Sequence, residues 1–583
     1  MKLSLRPAIT LVLLVCLSTL FILGTSSAAA QTDADITVAL DNSGDYTSIQ
    51  NAVDNATDGD QIRVEPGIYR QHTEISNNVT LYAPNGATIA NTSAVASEYG
   101  RFDARSGFQI YGEATPTISG FTFTDWRWSI SAGGSEGSWT VKNVDIDGGT
   151  CGVCAAGTPG NWTVTNSTIT VWDGEASISG YDSTGAWRVK NSTISGGNLL
   201  ASQSSGDLVI ENTTFVDAPT GASLDDTTGH WRIHSSVFRG LSEEGIEADG
   251  SQRGTIRETT ITNIGDNGLD METSEGPKLI ANTTITDVGG RGIDLEDSTG
   301  DFTIKQTIIN TTAEEGVDAD GSTGTTMVSG LIVQNTNDHG LDYENTYGNW
   351  TIEDTVIDNT ADHGVSAYNQ RHPSTGVIRN LTVTNTTNNG INFYNSSGEI
   401  AISDTAISDA GGWGIQASSS SGDWNVSNTT ITDTSDSLVH AREITGAWQI
   451  TRSRLLTKDT AVNATDSTEG NASYNYWEAA DGPSGDFSGS GGEAVGNVSV
   501  NPYYTDSSLT TVSSETGNDG SGDNQIPSDA VYDPDSTAAE YDNNTDGEID
   551  ITELGAAGGS YATGELSITE LGNVGAAYAS SGS

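Results

Sequence analysis

The sequence predicts an all-β fold, a parallel solenoid of stacked rungs, on three observations. First, a phrase of glycine, aliphatic residue, acid, any residue and acid recurs about every 24 residues between Gly221 and Ser418. It stands as Gly245-Ile246-Glu247-Ala248-Asp249, Gly268-Leu269-Asp270-Met271-Glu272, Gly292-Ile293-Asp294-Leu295-Glu296, Gly316-Val317-Asp318-Ala319-Asp320 and Gly340-Leu341-Asp342-Tyr343-Glu344. A fixed period in this range marks a repeat architecture, one supersecondary unit per repeat, each packing on its neighbours. Second, the phrase alternates apolar and polar residues, the period of a strand and not of a helix. Third, repeats end in Ser/Thr-Gly, as at Gly348, Gly422 and Gly446, and reopen two residues later on Trp350, Trp424 and Trp448. Val or Ile follows each Trp at i+2, so the tryptophan column shares the face of a buried residue and reads as core.

Composition agrees. Of 583 residues, 69 are Gly and 34% are hydrophobic, enough for the thin core of a solenoid. The formal charge is −55, with 78 acids against 23 Lys and Arg. Nucleic acid is not an expected partner, because phosphate binding needs a basic surface. Such acidity fits a halophilic protein, in which concentrated salt screens self-repulsion. The regular aliphatic columns argue against disorder.

In chain order, Met1–Ala30 reads as a secretory signal. Lys2 and Arg6 precede an apolar run from Ala8 to Leu23, and Ala28-Ala29-Ala30 is a small-residue cleavage site. The mature chain is expected to be extracellular or cell-surface, and no later apolar stretch is long enough to span a bilayer. Cys151 and Cys154 form a Cys-x-x-Cys without a surrounding βαβ pattern, which reads as a small staple in a rung turn; the spacing leaves open whether they are joined. Thr47 with Gln50 is a capping box, and Ile49, Ala52, Val53 and Ala56 share one helical face. They predict a short helix covering the first rung, whose bare edge would otherwise invite aggregation. From about Trp139 to Gly470 the rungs are legible. Asn166, Asn191, Asn212, Asn282 and Asn428 are formal glycosylation sequons, but their shared column predicts an amide ladder from rung to rung. About fifteen rungs at the usual strand spacing would make a rod roughly 70 Å long.

These features resemble the right-handed parallel β-helix of the pectate-lyase-like superfold, over about residues 35–503. The opening segment looks like the cap of pectinesterases. The stretch Asn475-Tyr476-Trp477-Glu478-Ala479-Ala480-Asp481-Gly482-Pro483-Ser484-Gly485 resembles the closing motif of NosD-like proteins, with Glu478 where that motif usually has Gly. The resemblance implies a fold and not a reaction.

Thr505–Ala538, rich in Ser, Gly, Asp and Thr, reads as a flexible linker. Asp542–Glu553 then matches the twelve-residue EF-hand loop. Asp542, Asn544, Asp546, Asp550 and Glu553 stand at side-chain ligand positions, Glu548 at the carbonyl position and Gly547 at the turn. Calcium is the cofactor this implies. Gly547–Gly555 recurs as Gly564–Gly572, but Gly559, Tyr561 and Thr563 deprive the second copy of ligands. The tail resembles a dockerin, which implies a cohesin-like or cell-surface protein partner. The expected domains are a signal at 1–30, a β-helix at 31–503, a linker at 504–538 and a calcium-binding module at 539–583.

The phrase acids are expected to point outward as two carboxylate columns. Rungs about 4.8 Å apart make adjacent carboxylates repel by roughly 3.5 kcal/mol at an effective dielectric of about 20. The column must bind cations, calcium foremost, at Asp270, Asp294 and Asp318, or hold carboxyls protonated. A hydrated acidic surface in high salt is the third reading. The acids stop after Glu344. Beside that point lie His339 and His363 on neighbouring rungs, outward Tyr368 and Tyr394, and an extra Gln370-Arg371-His372-Pro373. Loop extensions on a rigid scaffold are where sites sit.

Two chemistries fit. In a glycoside hydrolase, Asp342 and Glu344, about 6.6 Å apart along a strand, suit inversion, and Asp318 and Asp342, about 4.8 Å apart across rungs, suit retention. In a polyuronate lyase, calcium neutralises the substrate carboxylate while Arg371, His339 or His363 takes the α-proton. Polygalacturonase, pectinesterase and pectate-lyase active-site motifs are absent. The sequence therefore predicts a secreted polysaccharide-binding or polysaccharide-degrading protein. Asp318, Asp342, Glu344, His339, His363 and Arg371 are its candidate catalytic residues, and Tyr368 and Tyr394 its candidate sugar contacts. The competing class is a non-catalytic surface protein whose acids bind ions.

Overall fold

The computed structural model describes residues 34–91 and 106–513. The chain divides into two units, Met1–Ser514 and Glu515–Ser583. The first is a parallel β-solenoid of about 19 turns with almost no helix. The second lies outside the described residues, as do the expected signal at 1–30 and the calcium loop from Asp542 to Glu553.

A typical turn runs through three strands, Lys278–Ala281, Thr284–Val288 and Ile293–Asp294. Each pairs in parallel with its counterpart one turn on: Ile280 with Ile304, Ile285 with Ile309, Ile293 with Val317. Stacked, they give three ladders, here termed the tryptophan sheet, the second sheet and the acid sheet. The expectation of about fifteen rungs falls short because the first turns lack the glycine–acid phrase. They join the same ladder on aliphatic alternation alone, Ile36 with Ile62 and Ile62 with Leu81.

Inside the acid sheet, the phrase's aliphatic residue and its "any" residue both face the core. Ala248, Met271, Leu295, Ala319, Tyr343, Ala367, Phe393 and Ala417 are all buried. Their sizes vary strongly, with the bulkiest, Tyr343 and Phe393, each flanked by alanines one turn away. Side chains interdigitate between layers in this way, as close packing requires.

The tryptophan column is core, as expected. Trp139, Trp162 and Trp187 stack with centroids 5.0 and 4.3 Å apart, and Trp424 and Trp448 at 5.1 Å. Where a Trp does not stack on another, glycine follows it in the column. A Cβ at Gly254 would lie 2.0 Å from the Trp231 ring and one at Gly376 2.1 Å from Trp350. Lys278 takes a tryptophan place, its amine donating to the Ser251 and Gln252 carbonyls at 2.8 and 3.1 Å.

The asparagines turn the chain between the first two sheets. Asn166, Asn191 and Asn212 have φ of 51, 49 and 48°, the left-handed region that Asn tolerates. Asn191 donates its amide to Asn166 at 3.1 Å, and Asn212 to Asn191 at 2.9 Å, which is the expected ladder at three of its five places; Asn428 instead donates to Asp404 at 2.6 Å.

One helix, Ile49–Asn55, buries Ile49, Ala52 and Val53. Its cap is Ser48, whose hydroxyl accepts from the Asn51 N–H; Thr47 is one residue too early. Gln50 instead bonds Asp54 and the backbone of Glu74. Cys151 and Cys154 are joined in a disulfide, on a strand of the acid sheet and not in a turn. In the closing segment Glu478 has φ 64°, the conformation that explains a glycine at that place in similar motifs. Ordered chain continues past Asn501 to Ser513, held by a turn in which Asp506 accepts from the Ser508 and Thr511 N–H groups at 3.0 and 2.7 Å.

Candidate functional site

The acid sheet aligns Glu247, Asp270, Asp294, Asp318 and Asp342 in one register column, continued by Ser366, Asn392 and Gln416. The column points away from the core, as expected, but it is not open to solvent. Asp294, Asp318 and Asp342 are 0, 2 and 8% exposed. The cause is local. Each strand ends at its Asp, whose Oδ1 accepts the N–H two residues on: Glu296 at 3.1 Å, Asp320 at 2.8 Å and Glu344 at 2.8 Å. This turn folds the phrase's second acid back over the first. Asn392 does the same for the Tyr394 N–H at 3.3 Å, so the place requires an acceptor and not a charge. The turn also corrects the Asp342–Glu344 spacing. Side-chain atoms of His339, Asp342 and Glu344 lie within 4.8 Å of one another, closer than an extended strand allows.

The residue before each phrase glycine forms a further column: Asn267, Arg291, Glu315, His339, His363, Asn389 and Trp413. The sequence reading missed most of it. Arg291 is its centre. The guanidinium meets Asp294 at 2.6 Å, Asp318 at 3.0 Å, and Glu296 and Glu315 at 3.1 Å. Burial opposes its charge, but Asp318, Asp294 and Glu315 outweigh burial and push its pKa further up. A cation therefore already sits in the column, supplied by the chain. The signal was visible as an isolated Arg between two acid phrases.

The same column fixes the histidines. The Arg291 N–H donates to Asn267 Oδ1 at 2.8 Å and the Trp413 N–H to Asn389 Oδ1 at 3.0 Å. In the equivalent places the His363 N–H donates to His339 Nδ1 at 3.3 Å and the Asn389 N–H to His363 Nδ1 at 3.1 Å. A backbone N–H has only a donor to offer, so each Nδ1 is an acceptor and the ring proton of a neutral imidazole sits on Nε2. The two rings stack at 5.0 Å. Burial pushes His363 down to about 4, so it is neutral in ordinary buffers. Each Nδ1 lone pair is thus engaged by the backbone of the next rung. His339 Nε2 faces Glu344 at 3.9 Å and Asp342 at 4.0 Å.

Burial raises the acids. Asp318 is pushed up to about 7, with the Asp320 N–H and Arg291 pulling it back. Asp342 is raised well above the carboxylate range by burial, then by Asp318 and Glu344. Glu344 is raised by burial, with the Ser366 hydroxyl at 2.8 Å and His339 opposing. Glu247 and Asp249 rise to about 7 and about 8 by burial and neighbouring carboxylates.

Three other predicted positions fall as follows. Tyr368 and Tyr394 continue the outer column beyond Glu344, partly exposed, with rings stacked at 5.7 Å and 7°. Arg371 turns to Tyr347, its Nη1 2.9 Å from the hydroxyl, and among the described residues it makes no ion pair; it is not brought to the acids. Gln370 is buried, accepting from Trp350 Nε1 at 3.0 Å and donating to Thr346 Oγ1 at 2.8 Å, which anchors the loop in the core.

Four side-chain groups among the described residues offer clustered cation ligands: Asp270, Glu272 and Asp294; Asp294, Glu296 and Asp318; His339, Asp342 and Glu344; and Asp338, His339 and Asp362. The chemistry suits a hard cation at the first. At the second Arg291 already bonds all three acids, so calcium there would displace it.

A family model described as a right-handed β-helix region matches residues 128–283 and 183–349. No curated protein matches the chain in sequence. Among solved structures, the A-module of an Azotobacter vinelandii mannuronan C-5 epimerase is 12% identical, over 58% of this chain and 92% of that one, with a TM-score of 0.36. The catalytic unit of a Streptomyces thermodiastaticus α-1,3-glucanase is 16% identical, over 71% and 66%, with a TM-score of 0.31. A Streptococcus pneumoniae surface adhesin is 12% identical, over 63% and 87%, with a TM-score of 0.28. Likenesses this weak assign nothing to the chain's chemistry.

Proposed function

We propose that this right-handed β-helix is a secreted protein that binds and degrades polysaccharide on its acid sheet, between Asp318 and Tyr394. One observation carries the reading: the outer column passes from the carboxyl of Glu344 directly to the stacked, partly exposed rings of Tyr368 and Tyr394. Aromatic faces give a flat apolar platform for a sugar ring, and adjacent carboxyls give hydrogen bonds and proton transfer. Burial keeps Asp342 and Glu344 able to hold a proton where an ordinary carboxyl has lost it, as a general acid must. Their close approach suits a paired-carboxyl hydrolysis. Elimination is less well supported, because the Nδ1 lone pairs of the two imidazoles are engaged by backbone and Arg371 is engaged by Tyr347.

A second reading, a non-catalytic wall that binds cations, is favoured by the structural duty of the inner aspartates as turn acceptors. The test is incubation with plant and algal polysaccharides in high salt, with and without calcium, following new reducing ends and unsaturated uronate. Reducing ends alone support hydrolysis. Unsaturated product that requires calcium moves the reading to a lyase. Neither product, with calcium raising only thermal stability, leaves the cation-binding wall.

The tail reading belongs to the same proposal. The Asp542–Glu553 loop holds calcium, and the module docks on a cohesin-like or cell-surface protein. Calorimetry of the full chain and of Asp546→Ala checks it: loss of one tight calcium site in the variant is expected, and unchanged stoichiometry refutes it.

A further inference from the structure

Away from the acid sheet, on the tryptophan sheet, the charge reverses. Four consecutive strands, Trp187–Lys190, Leu208–Glu211, His230–His234 and Arg253–Arg257, carry Arg188, Lys190, Arg232, Arg253 and Arg257, five of the chain's 23 Lys and Arg, with His230 and His234 among them. In a chain with 78 acids, chance would pair such arginines with carboxylates. Lys190 is so paired, with Glu211. Arg188, Arg232, Arg253 and Arg257 make no ion pair among the described residues. Arg232 instead donates to His230 Nδ1 at 2.8 Å.

The strip is also shaped. Register places Arg188, Val209, Arg232 and Thr255 in line, so short side chains flank the Arg232 stem on both sides. A groove of about 390 Å³ results, lined by Val209, Glu211, Arg232, His234, Thr255 and Arg257. A second, of about 470 Å³, lies at the other end of the same strands, where His230 and Arg253 meet Ser205, Thr228 and Gln252 together with the carboxylates of Asp207 and Glu275. Rungs about 4.8 Å apart repeat at close to the length of one pyranose unit.

We propose that this face binds a short anionic oligosaccharide through its carboxylate or sulfate groups. Guanidiniums with free donor edges recognise such planar or tetrahedral anions bidentately, and the apolar floor and hydroxyl rim suit the ring and its hydroxyls. The positive strip spans only about four rungs in a chain of net charge −55, so a long polyanion such as nucleic acid is repelled beyond it. The choice of a saccharide rests on the polysaccharide reading above, but the site is separate from the acid sheet.

The test uses the full chain in the lowest salt at which circular dichroism reports it folded. Calorimetry follows hexagalacturonate, a sulfated oligosaccharide of similar length, neutral maltohexaose and a six-nucleotide oligothymidylate. The variants are Arg232→Gln/Arg257→Gln, Arg239→Gln as an exposed arginine on the second sheet, and Asp342→Asn. At least one anionic sugar is expected to bind, tenfold or more weaker in the double variant and unchanged in Arg239→Gln; which sugar binds identifies the anion. Absence of binding by both anionic sugars, equal binding by the double variant, or equal binding by oligothymidylate or maltohexaose overturns the proposal. Polysaccharide activity that survives in the double variant but fails in Asp342→Asn would separate this proposal's failure from that of the acid-sheet reading.

Discussion

Arg291 holds four carboxylates within 3.1 Å, and its removal leaves buried acids facing one another. Arg291→Gln should cost about 3 kcal/mol or more in denaturant unfolding, with part of the loss restored by calcium or high salt. An unchanged midpoint would show that the column needs no cation. At His363 the structure separates ladder from chemistry. His363→Asn keeps an acceptor for the Asn389 N–H, as Asn389 itself provides for Trp413, and should cost under about 1 kcal/mol. His363→Ala orphans that N–H and should cost about 1–3 kcal/mol. Side-chain identities at this scale were legible, and their partners were not. The bonds from the next rung's backbone to the histidine nitrogens are an example, since sequence does not display them. The bond from Arg371 to Tyr347, 24 residues away, is another.

At the scale of the element, the acid sheet is a strand that ends in a carboxylate-capped turn. Its periodicity and inward residues could be read from the phrase; its burial could not, because the Asp-to-N–H turn that folds the second acid over the first breaks strand alternation. A pH dependence follows. Asp318, Glu247 and Asp249 keep protons in the folded state up to about 7, about 7 and about 8, whereas the unfolded chain releases them near pH 4. The folded state then binds more protons, so stability is greatest in acid, falls as pH rises from about 4, and levels above about 8. Thermal melts across that range should show the fall, and calcium should blunt it. A rise in stability over the same interval would contradict the burial of these groups. The tryptophan sheet gives a packing prediction. Gly254→Ala drives a Cβ into the Trp231 ring and should destabilise by about 1–3 kcal/mol, checked by denaturant midpoint.

Over the whole solenoid, repetition made the fold readable and hid its function. The glycine–acid phrase and the Trp and Asn columns specified a three-sided coil. The N-terminal turns escaped because they share the coil's register without its phrase, as Ile36, Ile62 and Leu81 show. A net charge of −55 does not by itself say where the charge lies. The fold sorts it, with carboxylates and stacked tyrosines on the acid sheet and unpaired arginines on the tryptophan sheet. On the proposed function, polysaccharide engages the acid sheet at Tyr368 and Tyr394. Calorimetric titration of the polysaccharide with wild-type chain and with Tyr368→Ala/Tyr394→Ala tests it directly, since both rings are partly exposed and their loss should leave the melting temperature nearly unchanged. Affinity should weaken by about tenfold or more in the double variant. Equal affinity in the two proteins would contradict it.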